Sequence, residues 1–178
     1  MLTVMSKIHH TCNCIGRSFT FEEWCDYCRE QSSSEPVLQN GSFKWNIFDV
    51  CLTPNIPLRI QTRFCSLTVE TAQSLNGRWS YGYILNLHNE GNARPVAFVS
   101  RNDRGYPSEE ECVYECITQA ERRVTEKIKE LQRRGDIECD EPGVKEPKSS
   151  ELVSGTKAFL NELERRKEYY DPRQLRLF

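Results

Sequence analysis

Four cysteines near the start of the chain, Cys12, Cys14, Cys25 and Cys28, have the residue type and grouping of a tetrahedral zinc site. Cys12-Asn13-Cys14 forms one close pair. Cys25 and Cys28 form the other, on a short helix expected from about Phe21 to Glu30, with Thr20 as its N-cap and Glu23 closing a capping box. His9 and His10 are available as substitute ligands. Four protein ligands would leave no open coordination position, so a zinc ion there would be structural. The same helix face, Phe21, Trp24, Cys25 and Cys28, equally suits thiols used as small apolar fillers of a core. Cys112 and Cys116 stand one helical turn apart, a spacing that could ligate metal, with core packing the expected use.

Other reactive chemistry has little support. Two of the three histidines are the neighbours His9 and His10. The chain has no phosphate-cradling glycine loop, no nucleophile elbow and no zinc-hydrolase helix motif. Asp49, Glu70 and Asp103 lack the partner spacing of a two-metal nuclease. A non-enzymatic protein is expected.

The last five residues, Gln174-Leu175-Arg176-Leu177-Phe178, put three large apolar side chains where a polar tail is the norm. Pro172 stops the preceding helix and biases Asp171 away from helical backbone. A free, extended peptide is expected, with too few apolar residues for a core of its own. Its pattern resembles the clamp-binding peptide of bacterial DNA-replication and repair proteins, of the form Gln-Leu-x-Leu-Phe. The resemblance implies that Gln174 anchors at the rim of a pocket on the sliding clamp of the DNA polymerase. Leu175, Leu177 and Phe178 would then fill adjoining apolar subsites. Arg176 departs from the small or acidic residue usual at the x position. The resemblance covers five residues and implies nothing about the body of the chain. It points to a bacterial protein or one from a mobile element, acting by recruitment or by interference, with any DNA contact direct or through the clamp. The alternative is a zinc-stabilised regulatory or nucleic-acid-binding module whose tail folds back on its own surface.

Composition sets the outer bounds. The chain has 178 residues, a net charge of -2 and a charged fraction of 28% against an apolar fraction of 38%. That balance argues against a protein that coats nucleic acid by bulk charge. No run approaches a membrane span, and residues 1–7 lack the apolar stretch of a signal peptide. A cytoplasmic chain with reduced thiols is expected, and the odd number of cysteines, nine, fits that better than a closed disulfide framework.

The elements that must carry these groups read as α+β: a small antiparallel sheet packed by a long helix, an N-terminal Cys-containing helical piece, and a C-terminal helical arm and tail. Residues 1–35 form the N-terminal segment, 36–138 the α+β core, 139–151 a linker with Pro142, Gly143 and Pro147, and 152–178 the arm. Phe43 to Leu52 reads as a strand. Leu58 to Val69 alternates with a parity shift after Phe64, the mark of a bulge or of two consecutive strands. Asn76-Gly77 is a turn, Trp79 to Leu87 the clearest strand, and Arg94 to Ser100 its return after a loop at His88 to Ala93. Trp79, Tyr81 and Tyr83 share one face, with Arg59, Arg63, Arg78 and Arg94 nearby. Alternation leaves open whether that face stacks on bases or lies under a helix. Ser108 with Glu111 is a capping box, and Val113, Ile117, Ala120, Val124, Ile128 and Leu131 recur at helical spacing. The element order from Trp79 to Arg134 is loosely similar to double-stranded-RNA-binding domains. Glu109, Glu110 and Glu111 stand where such a domain grips phosphate, which argues against that use. The last helix, Leu152 to Tyr170, with Val153, Phe159, Leu160 and Leu163 as its apolar members, is expected to project from the body and hold the tail at a distance.

Overall fold

The computed structural model describes residues 10–12, 17–19, 34–99, 105–134 and 147–175. In chain order its elements are β1 (His10–Cys12), β2 (Arg17–Phe19), β3 (Leu38–Asn40), β4 (Phe43–Trp45), β5 (Asn55–Gln61), β6 (Cys65–Gln73), β7 (Trp79–Leu87), β8 (Glu90–Arg94), α1 (Glu109–Arg134), α2 (Ser149–Tyr169) and the short α3 (Pro172–Leu175). β1 pairs with β2 and β3 with β4, while β5-β6-β7-β8 form a four-stranded antiparallel meander. The fold is α+β, with the long helix packed on the sheet.

Burial along β6 and β7 shows which face of the sheet is covered. Cys65, Leu67, Val69 and Thr71 of β6 and Tyr81, Leu85 and Leu87 of β7 are buried. All of these but Thr71 share one core with Cys112, Val113, Cys116, Ile117, Ala120, Val124 and Ile128 of α1. The Trp79-Tyr81-Tyr83 row lies in or against that core, so the helix-covered reading of this face is the one the structure has. The parity shift after Phe64 is a change of strand: Thr62 N–H donates to Cys65 O at 2.8 Å across a tight turn between β5 and β6. On the opposite face a smaller cluster of Phe43, Trp45, Cys51, Ala72 and Val96 covers one end of the sheet.

α1 begins as its sequence dictates. Ser108 Oγ accepts the Glu111 N–H at 3.2 Å, three acidic residues occupy the first turn, and Arg133 and Arg134 occupy the last. At 26 residues it is about 39 Å long.

Three strand boundaries differ from the sequence reading. The strand expected from Phe43 to Leu52 stops at Trp45, because Asn46 Oδ1 accepts the N–H groups of Phe48 and Val50 at 2.9 Å each and Asp49 turns with φ +59°. A side chain that satisfies its own backbone competes with the ladder. The hairpin after β7 is tighter than expected: Leu87 pairs with Glu90, leaving only His88 (φ +56°) and Asn89 as the loop. The return strand therefore ends at Arg94. Pro95 has no N–H to give, and the chain then crosses the opposite face over Gly82, where a Cβ would lie 2.5 Å from Arg94 O. Val96 and Phe98 instead bond the Asp49–Cys51 segment.

The larger difference is α2. Leu152, Thr156, Phe159 and Leu163, spaced along one stripe, are buried, and Phe159 and Leu163 belong to the main core. The helix lies beside α1 rather than projecting from the body. Its outer face is solvated as expected: Arg165 and Arg166 hold the Glu162 carboxylate, with its pKa lowered to about 2 chiefly by the Arg165 hydrogen bonds. Where α2 meets the β5–β6 turn, Gly155 is required by space, since a Cβ there would sit 2.4 Å from Phe64 Cδ2. Gly155→Val is expected to lower stability by about 1–3 kcal/mol, as overpacking does, read as a lower urea midpoint at unchanged slope. An unchanged midpoint would show that Phe64 swings clear at no cost.

Candidate functional site

The C-terminal segment is held by a built mount. Lys167 Nζ donates to Glu121 Oε2 of α1 at 2.5 Å and lies 5.2 Å from the centre of the Tyr114 ring. Tyr170 folds inward, and its hydroxyl donates to Pro57 O at 3.1 Å at the start of the sheet. The chain then turns: Tyr170 N–H donates to Lys167 O and Asp171 N–H to Glu168 O. Asp171 caps the short helix α3. Its Oδ1 accepts the Arg173 backbone N–H at 2.9 Å, and its two oxygens take the Arg173 guanidinium at 2.7–3.2 Å. The Arg173 hydrogen bonds hold the Asp171 carboxyl below the usual carboxylate range.

This geometry changes the expected form of the tail at its root. Pro172–Leu175 is one helical turn, not an extended strand. The reason lies in the same residues that stop α2: proline suits the first position of a helix, and an aspartate before it is a strong N-cap. Asp171-Pro172 thus ends one helix and begins another, and the sequence shows the first role more plainly than the second. Gln174 and Leu175 fall in this turn. Leu177 and Phe178 lie outside the described residues. The end of the arm does not stand away from the body, because Lys167 fastens it to α1 and Tyr170 to the start of β5. Tyr169, 74% exposed, stands next to this root with its ring edge-on to Tyr170.

Of the proposed zinc ligands, Cys12 falls in β1, whose backbone pairs with β2. Cys14, Cys25 and Cys28, the alternative His9 and the expected helix from Phe21 to Glu30 lie outside the described residues. Among the described residues, no group of three or more His, Cys, Asp or Glu is placed to hold a metal ion. Cys51, Cys65, Cys112 and Cys116 are free and buried. Burial raises all four thiol pKa values, that of Cys116 to about 12, and the Glu109 carboxylate adds to the rise at Cys112. A raised pKa leaves the thiol neutral at ordinary pH, and the neutral thiol is a poor nucleophile. Iodoacetamide at pH 8 is therefore expected to leave these four unmodified in the native protein and to label them fully in denaturant, read by peptide mass spectrometry. Rapid native labelling of Cys112 or Cys116 would overturn this account of the core.

Sequence reasoning missed a groove on the far flank of α1. It measures about 220 Å³ and is lined by Tyr83, Leu85, Cys116, Gln119, Arg122 and Arg123, among others. It exists because α1 and α2 pack over β5 to β7 and leave β8 exposed, touched by α1 through the Lys127–Glu90 pair, which no local pattern encodes. No family model, curated protein or solved structure matches this chain. No helix among the described residues is long and apolar enough to cross a membrane.

Proposed function

We propose that this chain docks on the bacterial sliding clamp through Gln174, Leu175, Leu177 and Phe178, as a non-enzymatic accessory or inhibitory protein of DNA replication or repair, or of a mobile element. The observation that carries the reading is the residue pattern Gln-Leu-x-Leu-Phe at 174–178. The capped turn at Asp171 supports it by fixing where the peptide leaves the body, which lowers the ordering cost of docking. Burying two leucines and a phenylalanine is worth about 5–9 kcal/mol gross, and association costs reduce that to a weak or micromolar contact suited to transient recruitment. The mode is cytoplasmic and needs no direct DNA contact by this chain.

Calorimetric titration into purified bacterial sliding clamp tests it, beside a version ending at Arg173. Saturable binding by the full chain and none by the shortened one is expected. Absence of binding by the full chain would overturn the reading, and so would equal binding by both.

A further inference from the structure

Strand β8 closes the sheet with an edge of unusual symmetry. Trp79 of β7 exchanges both backbone hydrogen bonds with Tyr106 at 2.8 Å, on the side of β7 away from β6. Backbone groups alternate sides along a strand, so Tyr83, Leu85 and Leu87 aim theirs at β8. Their register partners Arg94, Asn92 and Glu90 return those bonds. Gly91 and Ala93 then turn their N–H and C=O groups away from the sheet. All five residues of β8 are exposed, and no backbone hydrogen bond from another described segment reaches Gly91 or Ala93.

We infer that this edge pairs with the same strand of a second copy of the chain. The strand reads Glu90-Gly91-Asn92-Ala93-Arg94. Set antiparallel about a two-fold axis at Asn92, Gly91 of one copy faces Ala93 of the other. These are the residues whose backbone groups take no hydrogen bond among the described residues, so the register offers two reciprocal pairs of hydrogen bonds. In the same register Glu90 faces the second copy's Arg94, twice over. Glu90, Asn92 and Arg94 share the helical face of the sheet, where Lys127 donates to Glu90 and holds its carboxylate. Arg94 has no ion-pair partner among the described residues. A second copy supplies one.

The charge pattern argues for this occupant over a solvent-guarded edge. Edges that must stay single are blunted by shortness, prolines, bulges or charged side chains, and β8 is itself short and followed by Pro95. Here the charges have opposite sign at equal distance from the strand centre, so self-pairing sets attraction where a guard would set repulsion. An extended peptide of another protein would meet the same backbone groups, but nothing in the strand selects its sequence.

A single short strand buries less than the roughly 1,200 Å² of stable complexes, so the dimer is reversible and concentration-dependent. Sedimentation velocity of the full chain from micromolar to near-millimolar concentration is expected to show a monomer–dimer equilibrium. Arg94→Glu places two like pairs across the axis and should weaken it by about tenfold or more. Ala93→Pro removes an outward N–H and should abolish it. Circular dichroism checks that both variants fold. Independently of any variant, hydrogen exchange at the Gly91 and Ala93 amides should slow as concentration rises. A protein that stays monomeric throughout overturns the inference. So does a dimer indifferent to both substitutions, or one whose formation leaves the Gly91 and Ala93 amides unprotected.

Discussion

Phe159→Ala is expected to destabilise the whole protein by about 3–5 kcal/mol, the usual cost of emptying a buried phenylalanine site. Phe159 is fully buried and shares a core with Leu58, Ile60 and Leu67 of the sheet and Ile117 of α1. Its loss therefore empties a site in the core that the sheet and both helices share. For a domain of this size the melting temperature should fall by roughly 6–20 °C. Tyr169→Ala, on the exposed side of the same helix, should stay within about 0.5 kcal/mol. The comparison separates two pictures of α2. A docked helix gives one cooperative urea transition, shifted equally whether followed by far-ultraviolet dichroism or by tryptophan fluorescence. A helix that merely hangs from the body would give an early helical loss in the variant with the tryptophan signal of the sheet unmoved. That second result would overturn the shared core.

The reason α2 is not legible in the sequence as a core element lies in its sparse apolar pattern. Read alone, it offers Val153, Phe159, Leu160 and Leu163 among charges, a weak stripe that fits an exposed arm. The structure keeps Phe159 and Leu163, adds Leu152 and Thr156 to the buried stripe, and leaves Leu160 at the margin of the core. A threonine can line that stripe because its hydroxyl donates to Leu152 O at 2.7 Å within the helix, satisfying the polar atom locally. Which stripe is buried depends on the surface that α1 and β5–β6 leave open, and that is a property of the assembled fold. α1 and β7 are legible because each carries a long, unbroken period and its own start signal. The strand ends are not, because Asn46, His88 and Pro95 act through single-residue geometry. The candidate site divides the same way. The peptide pattern at 174–178 is written in consecutive residues, whereas the Lys167–Glu121 and Tyr170–Pro57 bonds that fasten its root join residues distant in sequence.

Replacing both Leu177 and Phe178 by alanine is the sharpest test of the proposed docking. Two large apolar side chains taken out of a pocket remove about 3 kcal/mol or more, which is about a hundredfold or more in Kd. The binding heat should fall below detection, while melting temperature stays unchanged. Arg176→Ala should alter affinity only a few-fold, because the resemblance assigns the contacts to Gln174, Leu175, Leu177 and Phe178 and none to the x position. Asp171→Ala should act between these limits. It removes the cap of the Pro172–Leu175 turn, worth about 1 kcal/mol, and so loosens the peptide's exit from the body without touching its anchors. A graded series, with the double variant most affected, Asp171→Ala next and Arg176→Ala least, is what a mounted peptide produces. If Arg176→Ala cost as much as the double variant, the contact would be one of charge rather than of apolar pockets, and the Gln-Leu-x-Leu-Phe reading would be wrong even though the tail bound.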